Sequence, residues 1–254
     1  MSAYLEVTGV NKRFGGLQAL NACSFTAEQG RITCLVGPNG AGKTTIFNVV
    51  TGFLKSDAGD IRFRGQSLAG LTPQAVVAAG IARTFQNLRL FLDGSALDNV
   101  LVGMRGHVGE EPVGAIFRPW KTSTALGRKA AEAHAILVHV GLADRAREFV
   151  RNLSYGEQKL LSIARVLATG AELLLLDEPT SGLSGAALDT ILALLQTLKA
   201  DGKTLLVVEH NTRVVQRIAE EVLFLHQGHL VARGTPEAIT SDPALAEIYF
   251  GGVI

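Results

Sequence analysis

Two cysteines in 254 residues are too few for a disulfide framework, and Cys23 and Cys34 each stand in an apolar, strand-like run where a small buried thiol is the expected role. Charge of one sign is also lacking: 24 Lys and Arg against 23 Asp and Glu give a net charge of +1, without the basic excess of a general nucleic-acid binder. No nucleic-acid partner is expected. Long hydrophobic runs are missing too. The longest stretch without a charged residue, Gly65–Ala82, is broken by Gln66, Ser67, Thr72, Pro73 and Gln74, so no membrane-spanning helix follows from it. The opening residues, Met1-Ser-Ala-Tyr-Leu-Glu-Val7, lack a basic segment followed by an apolar one, the mark of a secretory signal. A cytoplasmic location is the expectation from these absences. Aromatic residues make up only 6%, with Trp120 the one tryptophan. What is present is apolar and small: 47% hydrophobic residues, 28 glycines and a mean hydropathy of +0.26. The length suits one large domain, or a core with a smaller subdomain, and can bury a sizeable interior.

Leu5 and Val7, then Cys23, Phe25 and Ala27, then Ile61 and Phe63 alternate with their neighbours, which puts them on one face of short strands. Gly15-Gly16 and Gly59 read as the turns between those strands, and this opening third as a half-exposed antiparallel layer. Ile32–Val36, Leu173–Leu176 and Leu205–Val208 are instead continuous apolar runs, each closed by a polar or glycine residue and followed by helical spacing. Such runs suit strands covered on both faces. The fold class is therefore α/β, with a mainly parallel core sheet and an N-terminal antiparallel β layer. Between Ala75 and Ala168 the spacing turns helical, as in Ala133, Ile136, Leu137 and Val140, and reads as an inserted helical subdomain. The expected organisation is a single domain over residues 1–254, with a core of about 1–80 and 170–254 and a helical subdomain of about 87–168. Residues 103–129 carry Gly103, Gly106, Gly109, Gly114, Pro112, Pro119 and Trp120 together with Arg105, Arg118, Lys121, Arg128 and Lys129. A solvated loop and a contact surface for a partner or lipid headgroups are both open for that insertion. Val222–Leu225 and His229–Ala232 add two strands, and a polar tail through Pro236 and Pro243 closes on Ile248, Tyr249 and Phe250.

Gly37-Pro38-Asn39-Gly40-Ala41-Gly42-Lys43-Thr44 matches G-x-x-x-x-G-K-[ST] between the apolar run Ile32–Val36 and a helical run, Thr45–Thr51. That is the setting in which the pattern cradles phosphate. Gly40 and Gly42 let the backbone wrap phosphate oxygens, the loop N–H groups and helix N-terminus add partial positive charge, and Lys43 adds a full one at the β and γ phosphates. The Thr44 hydroxyl is offered to Mg²⁺. A neighbouring buried strand should then end in an acid, and Leu173-Leu-Leu-Leu-Asp177-Glu178 ends in two. Asp177 reads as holding Mg²⁺ through water and Glu178 as orienting or deprotonating the attacking water, which makes nucleoside triphosphate hydrolysis the expected chemistry. Thr204–Val208 is a further buried strand with Glu209-His210 at its carboxyl end.

A phosphate loop alone leaves kinases, GTPases and transport motors open. Leu153-Ser154-Tyr155-Gly156-Glu157-Gln158 resembles the signature motif of the ATP-binding cassette (ABC) ATPases, a family of P-loop NTPases, and stands about twenty residues before Asp177. Ser154 and Glu157 also have the spacing of a capping box opening a helix that runs to Ala168. The resemblance covers nearly the whole chain and implies ATP and Mg²⁺ as ligands. It implies that Phe14 lies against the adenine ring, that Gln86 in Thr84-Phe85-Gln86-Asn87 serves the metal and the reaction, and that His210 touches the γ phosphate. Thr45 joins the phosphate loop in the same reading, and Ser154, Gly156 and Glu157 face ATP held by a partner subunit.

Finer matches narrow the resemblance. Gly80–Phe91, Asn99-Val-Leu-Val-Gly103 with its glycine-rich insertion, Leu153-Ser-Tyr-Gly, Glu209-His210 and Ile248-Tyr-Phe-Gly look like the ATPase subunits of branched-chain amino-acid importers. Importers of urea, amides and other small nitrogenous or carboxylate solutes share the pattern, and the ATPase of lipopolysaccharide export is similar. A soluble ABC ATPase of DNA repair or translation would bring a coiled-coil insert, tandem cassettes or a basic face, none of which the sequence displays. The implied partners are membrane-spanning permease subunits, a second ATPase subunit of the same or a related kind and, indirectly, a periplasmic or extracellular solute-binding protein. The implied location is the cytoplasmic side of the cell membrane. Leu88, Leu90 and Phe91 either face the membrane subunit or fill the core. Tyr155, Glu157, Ser184 and Asn211 depart from the family's commoner glycine, glutamine, aspartate and aspartate. The Glu157 carboxylate is expected to turn back to the Ser154 backbone rather than reach outward.

Overall fold

The computed structural model describes residues 4–104 and 119–250, so residues 105–118 of the insertion, expected as a solvated loop or a contact surface, lie outside the described part. The chain divides into two compact units, Met1–Arg83 with Glu172–Ile254, and Thr84–Ala171.

In chain order the first unit opens with β1 (Leu5–Phe14), β2 (Leu17–Ala27) and β3 (Ile32–Val36), continues through α1 (Lys43–Val50), β4 (Ala58–Phe63), β5 (Gln66–Ser67) and α2 (Pro73–Ala79), and reaches β6 (Ile81–Arg83). The second unit holds α3 (Ala96–Gly103), α4 (Pro119–His139) and α5 (Tyr155–Ala168). The first unit resumes with β7 (Leu173–Asp177), α6 (Gly185–Ala200), β8 (Thr204–Val208), α7 (Thr212–Ile218), β9 (Glu221–His226), β10 (His229–Gly234), α8 (Pro236–Thr240) and α9 (Pro243–Phe250).

Two sheets build the first unit. The antiparallel one runs β2-β1-β4-β5, and the alternating residues Leu5, Val7, Cys23, Phe25, Ala27, Ile61 and Phe63 are all buried, so period-two spacing did choose the inner face. Gly15-Gly16 is the β1–β2 turn, but Gly59 is not a turn. It lies inside β4, beside the irregular register with β1 between Thr8 and Asn11, where a bulge takes the place of a reversal. The other sheet runs β10-β9-β3-β8-β7-β6. Its β9, β3, β8, β7 and β6 are parallel, and β10 closes one edge antiparallel to β9.

Leu173, Leu174, Leu175 and Leu176 are fully buried, as a strand with helices on both faces requires, each contributing roughly 2 kcal/mol of burial. Leu35, Leu175, Leu206 and Val208 on one side of this sheet share a core with Phe47 of α1 and with Leu5, Val7 and Phe25 of the antiparallel layer. The sheet thereby has a rigid carboxyl edge to carry loops. One strand was not anticipated: β6 lies in the stretch from Ala75 onward that reads as helical, and it pairs in parallel with β7 through Ile81, Ala82 and Arg83.

Within the second unit α3 starts at a capping box in which Ser95 accepts from the Asp98 amide and Asp98 accepts from the Ser95 amide. The Ala96 and Leu97 amides donate to the carbonyls of Glu148 and Ala146, tying α3 to the segment after α4. Leu137, Leu142, Leu161 and Ile163 are buried.

Candidate active site

Three adjacent strands of the parallel sheet, β3, β8 and β7, end side by side: Leu35 is paired with Val208, and Val208 with Asp177. Their carboxyl ends deliver, in that order, the loop from Gly37, the pair Glu209-His210 and the pair Asp177-Glu178. This is the edge at which open α/β sheets bind ligands.

The loop after β3 is shaped from beneath. A Cβ at Gly37 would run into the Leu225 carbonyl oxygen of β9, and one at Gly42 would lie 2.6 Å from the Ala19 carbonyl oxygen, while φ at the two residues is +147° and +103°. Only glycine satisfies both limits. The turn between β9 and β10 supports the same loop, since the Gly228 amide donates to the Ala41 carbonyl and the Gly228 carbonyl accepts from the Asn21 amide, both at 3.0 Å.

Lys43 is buried, and its Nζ donates to the carbonyls of Gly37 (2.7 Å) and Pro38 (2.8 Å), so the loop is wound round its ammonium group. Burial lowers the Lys43 pKa, opposed by the Glu178 and Asp177 carboxylates. The first turn of α1 has no side-chain cap; Gly42 stands at the cap position, leaving the turn's amides to an external acceptor. Asn39, Gly40 and Thr44 are exposed, Pro38 and Thr45 are half-buried, and Ala41 is buried. A buried cation, an uncapped helix start and exposed loop amides are the elements of a phosphate cradle.

Asp177 ends β7 with its side chain only 4% exposed, and Arg83 Nη2 lies 3.2 Å from its Oδ2. Arg83 Nη1 donates to Asn48 Oδ1 on α1 (2.5 Å), so one guanidinium spans the acid and the helix that follows the phosphate loop. Glu178 adopts φ +48°, a left-handed conformation that costs a non-glycine residue about 1–3 kcal/mol and that clusters at functional sites. Its amide donates to the Val208 carbonyl (3.0 Å), which holds the bend against the end of β8. Glu178 Oε1 lies 3.7 Å from His210 Nδ1, so two residues expected to act on one phosphate are neighbours. Phe14 ends β1, 46% exposed, with Lys12 Nζ 5.7 Å from its ring centroid, leaving an aromatic face available for a planar ligand.

The sequence model of the ABC transporter family matches residues 20–181. The high-affinity branched-chain amino acid transport ATP-binding protein BraF of Pseudomonas aeruginosa is 36% identical over 252 residues, covering 97% of each chain. The chain belongs to the ABC transporter family. Among solved structures, the ADP conformation of MJ1267, an ATP-binding cassette of an ABC transporter, superposes with a TM-score of 0.85 at 30% identity over 99% of this chain and 100% of the other. The dimeric post-hydrolysis state of the ATP-binding cassette MJ0796, bound to ADP and Pi, gives 0.74 at 26% identity over 91% and 98%. The chain is an ATP-binding, ATP-hydrolysing subunit of an ABC transporter.

The donors present fit the divalent ion that ABC ATPases use with ATP. Among the described residues no group of three or more His, Cys, Asp or Glu could hold a metal alone. One exposed hydroxyl, Thr44, and one strand-end carboxylate, Asp177, make a sparse oxygen set, suited to Mg²⁺, which keeps most of its shell as water and substrate phosphate.

The remaining expected ABC residues lie in the second unit. Gln86 is exposed in the segment after Thr84. Ser154 caps α5 as expected: its Oγ accepts from the Glu157 amide (3.3 Å), and Glu157 Oε2 accepts from the Ser154 amide (2.7 Å) and hydroxyl (2.8 Å). Arg145 Nε adds a contact at 2.9 Å to Glu157 Oε1. Burial pushes the Glu157 pKa up, but these bonds to Ser154 and Arg145 outweigh it and hold the carboxyl below its usual range. Of the other departures, Ser184 stands at the start of α6 without a side-chain cap bond, and Asn211 caps α7 by accepting from the Arg213 amide. Leu88 and Leu90 are half-buried and Phe91 is 53% exposed, so the three do not form an interior.

Three residues at the site have no role from the sequence: Arg83, Gly228 and Glu209, the last placed beside His210 at a strand end but left without a function. Arg83 had one visible signal, a guanidinium directly after the apolar pair Ile81-Ala82. For Gly228 the signal was the two-residue turn Gln227-Gly228 between strand-like runs.

Proposed function

We propose that this subunit powers import of branched-chain amino acids or similarly small solutes, working as one of two ATPase subunits on the cytoplasmic face of the cell membrane. The observation that carries the reading is the convergence of Gly37–Thr45, Asp177-Glu178 and His210 at three neighbouring strand ends in a chain 36% identical to BraF along nearly its whole length. No helix among the described residues is long and apolar enough to cross a membrane. Attachment in this reading is through membrane-spanning permease subunits.

In this reading Gly37, Pro38, Asn39, Gly40, Ala41, Gly42, Thr44 and Thr45 receive the phosphates through the loop and helix start, and Lys43 supplies the charge. Thr44 and Asp177 would hold Mg²⁺, with Gln86 serving the metal and the reaction; when bound the ion would neutralise charge on the phosphate oxygens. Glu178 orients and deprotonates the attacking water, His210 supports the γ phosphate, and Phe14 stacks on the adenine. Ser154 and Gly156 serve the nucleotide of the second ATPase subunit. ATP shared between two subunits closes the pair, and loss of the γ phosphate releases it. A periplasmic or extracellular binding protein supplies the solute to the permease.

The test is reconstitution in vesicles with the permease subunits and binding protein. ATP hydrolysis should rise above the basal rate when the binding protein carries leucine, isoleucine or valine and stay basal with urea or short amides; the reverse pattern overturns the substrate assignment. Glu157→Gln checks the signature segment. With the capping geometry retained and one charge lost, stability should fall by less than about 1 kcal/mol and ATP-driven dimerisation should stay at the wild-type level. Stronger dimerisation at unchanged stability would place the carboxylate against the partner's nucleotide instead.

A further inference from the structure

β8 is followed directly by a residue that the phosphate chemistry described above does not use. Glu209 has no exposed surface, although it carries a carboxyl group. Its Oε1 accepts two hydrogen bonds from one residue, from the Thr180 hydroxyl at 2.7 Å and from the Thr180 amide at 3.1 Å. Its Oε2 is buried with no hydrogen-bond partner among the described residues. Burial raises the Glu209 pKa against the pull of the Thr180 bonds and of His210, and the Cys34 thiol on the neighbouring strand is raised by its own burial and then by Glu209. A residue there only to fill space between strands would carry no such desolvation cost, and leucine has nearly the same volume.

What the carboxyl does hold is informative. Thr180 lies two residues after Glu178, and Glu209 directly precedes His210. The chain between Asp177 and Thr180 must pass through the left-handed bend at Glu178, whose backbone does not rest in its preferred region. Two ties pin that bend to the end of β8. One is the Glu178 amide on the Val208 carbonyl before Glu209; the other is Thr180 on the Glu209 side chain. With either released, the strained residue is free to relax, and the Glu178 carboxylate moves with it.

We propose that Glu209 is a positioning residue for hydrolysis: by gripping Thr180 it fixes the bend that aims Glu178 and keeps Glu178 in register with His210. The inference rests on Glu178 being the residue that activates water. Glu209 touches neither substrate nor reacting atoms, so its removal should change the rate of the chemical step and not the affinity for nucleotide. Misplacing a reacting group by a fraction of an ångström to 1 Å costs about tenfold to a hundredfold in rate.

The experiment compares Glu209→Leu, Glu209→Gln, Thr180→Val and the Glu209→Leu/Thr180→Val pair in the full-length chain, reading kcat and KM for ATP, the Kd of a fluorescent ATP analogue and the denaturant midpoint. Glu209→Leu should lose about tenfold to a hundredfold in kcat with KM and Kd within about twofold of wild type. Glu209→Gln, which keeps an acceptor for Thr180, should recover most of the rate. Thr180→Val removes the hydroxyl donor and should also lower kcat, and the pair should be no slower than Glu209→Leu alone. A wild-type kcat in Glu209→Leu, a loss of nucleotide affinity matching the loss of rate, or additive losses in the pair would each overturn the proposal. Should Glu209→Leu fail to fold, Thr180→Val decides: a lowered kcat at an unchanged midpoint supports the grip, and an unchanged kcat removes it. Glu178→Gln as a control separates the two readings. Normal turnover in that control overturns the role of Glu178 and this inference with it, whereas failure of the Glu209 series alone leaves Glu178 in place.

Discussion

Glu178→Gln should bind ATP as the wild type does and turn it over about 10²–10⁴-fold more slowly, the range lost when a positioned general base is removed. The structure separates the two effects. In the proposed reading nucleotide affinity resides in the loop Gly37–Thr45, where the Lys43 ammonium is held by the Gly37 and Pro38 carbonyls; neither bond involves Glu178, whose carboxylate acts on Lys43 through its charge alone. The bend at Glu178 is held by its backbone amide on the Val208 carbonyl, which the substitution leaves in place. Glutamine has the same length and meets the same steric limits at φ +48°, so the cost of the bend is nearly unchanged. What disappears is the ability to accept a proton. Turnover under saturating ATP, beside equilibrium binding of a fluorescent ATP analogue, measures both halves. Turnover within a few-fold of wild type would end the assignment, and a parallel loss of binding would mean that Glu178 helps to shape the phosphate loop. His210 Nδ1, 3.7 Å from Glu178 Oε1, loses no contact geometry in this variant, because the glutamine side chain still reaches it.

Much of this arrangement is legible in the chain because it is local. Four leucines in a row followed by two acids suit a buried strand delivering carboxylates to its end, and Leu173–Asp177 is that strand. The pattern from Gly37 to Thr44 is recognisable from its own spacing, although the carbonyl oxygens of Leu225 and Ala19 that demand glycine at 37 and 42 come from other strands. The capping box at Ser154 and Glu157 needs only three residues of spacing.

What could not be read depends on register between distant segments. β6 has three residues, directly after the left-handed Gly80 that ends α2, too few to show an alternation, and it becomes a strand only because Leu173–Leu175 lie alongside. Glu209 and Thr180 are 29 residues apart, and nothing near either names the other. Gly59 failed for a related reason: a glycine in an alternating run marks a bulge as readily as a turn, and the pairing of β4 with β1 decides which.

Arg83→Leu is the second large effect, and it falls on stability. The Arg83 and Asp177 side chains are 5% and 4% exposed, with Nη2 and Oδ2 3.2 Å apart. Taking the cation away from a carboxylate that is buried this deeply costs about 3–5 kcal/mol, far more than loss of a surface pair. Leucine also cannot replace the Arg83 contacts to α1: Nη1 donates to Asn48 Oδ1 at 2.5 Å, and Cζ lies 5.8 Å from the Phe47 ring centroid. The guanidinium therefore joins β6, the end of β7 and α1. Arg83→Lys should lie between wild type and Arg83→Leu, since an ammonium is a single point charge and cannot serve Asn48 and Asp177 in the fixed fork of a guanidinium. Denaturant midpoints of the three proteins test the order. Adding Asp177→Asn to Arg83→Leu removes the buried charge that has lost this cation and should return part of the lost stability, although it sacrifices the carboxylate proposed to hold Mg²⁺. A double variant as unstable as the sum of its singles would show that Asp177 does not depend on Arg83 for its burial. Recovery instead means that the fold keeps a cation beside this acid at a measurable cost in independence between the two positions. Any variation at Arg83 then acts on Asp177, the acid proposed to hold Mg²⁺, through the side chain beside it.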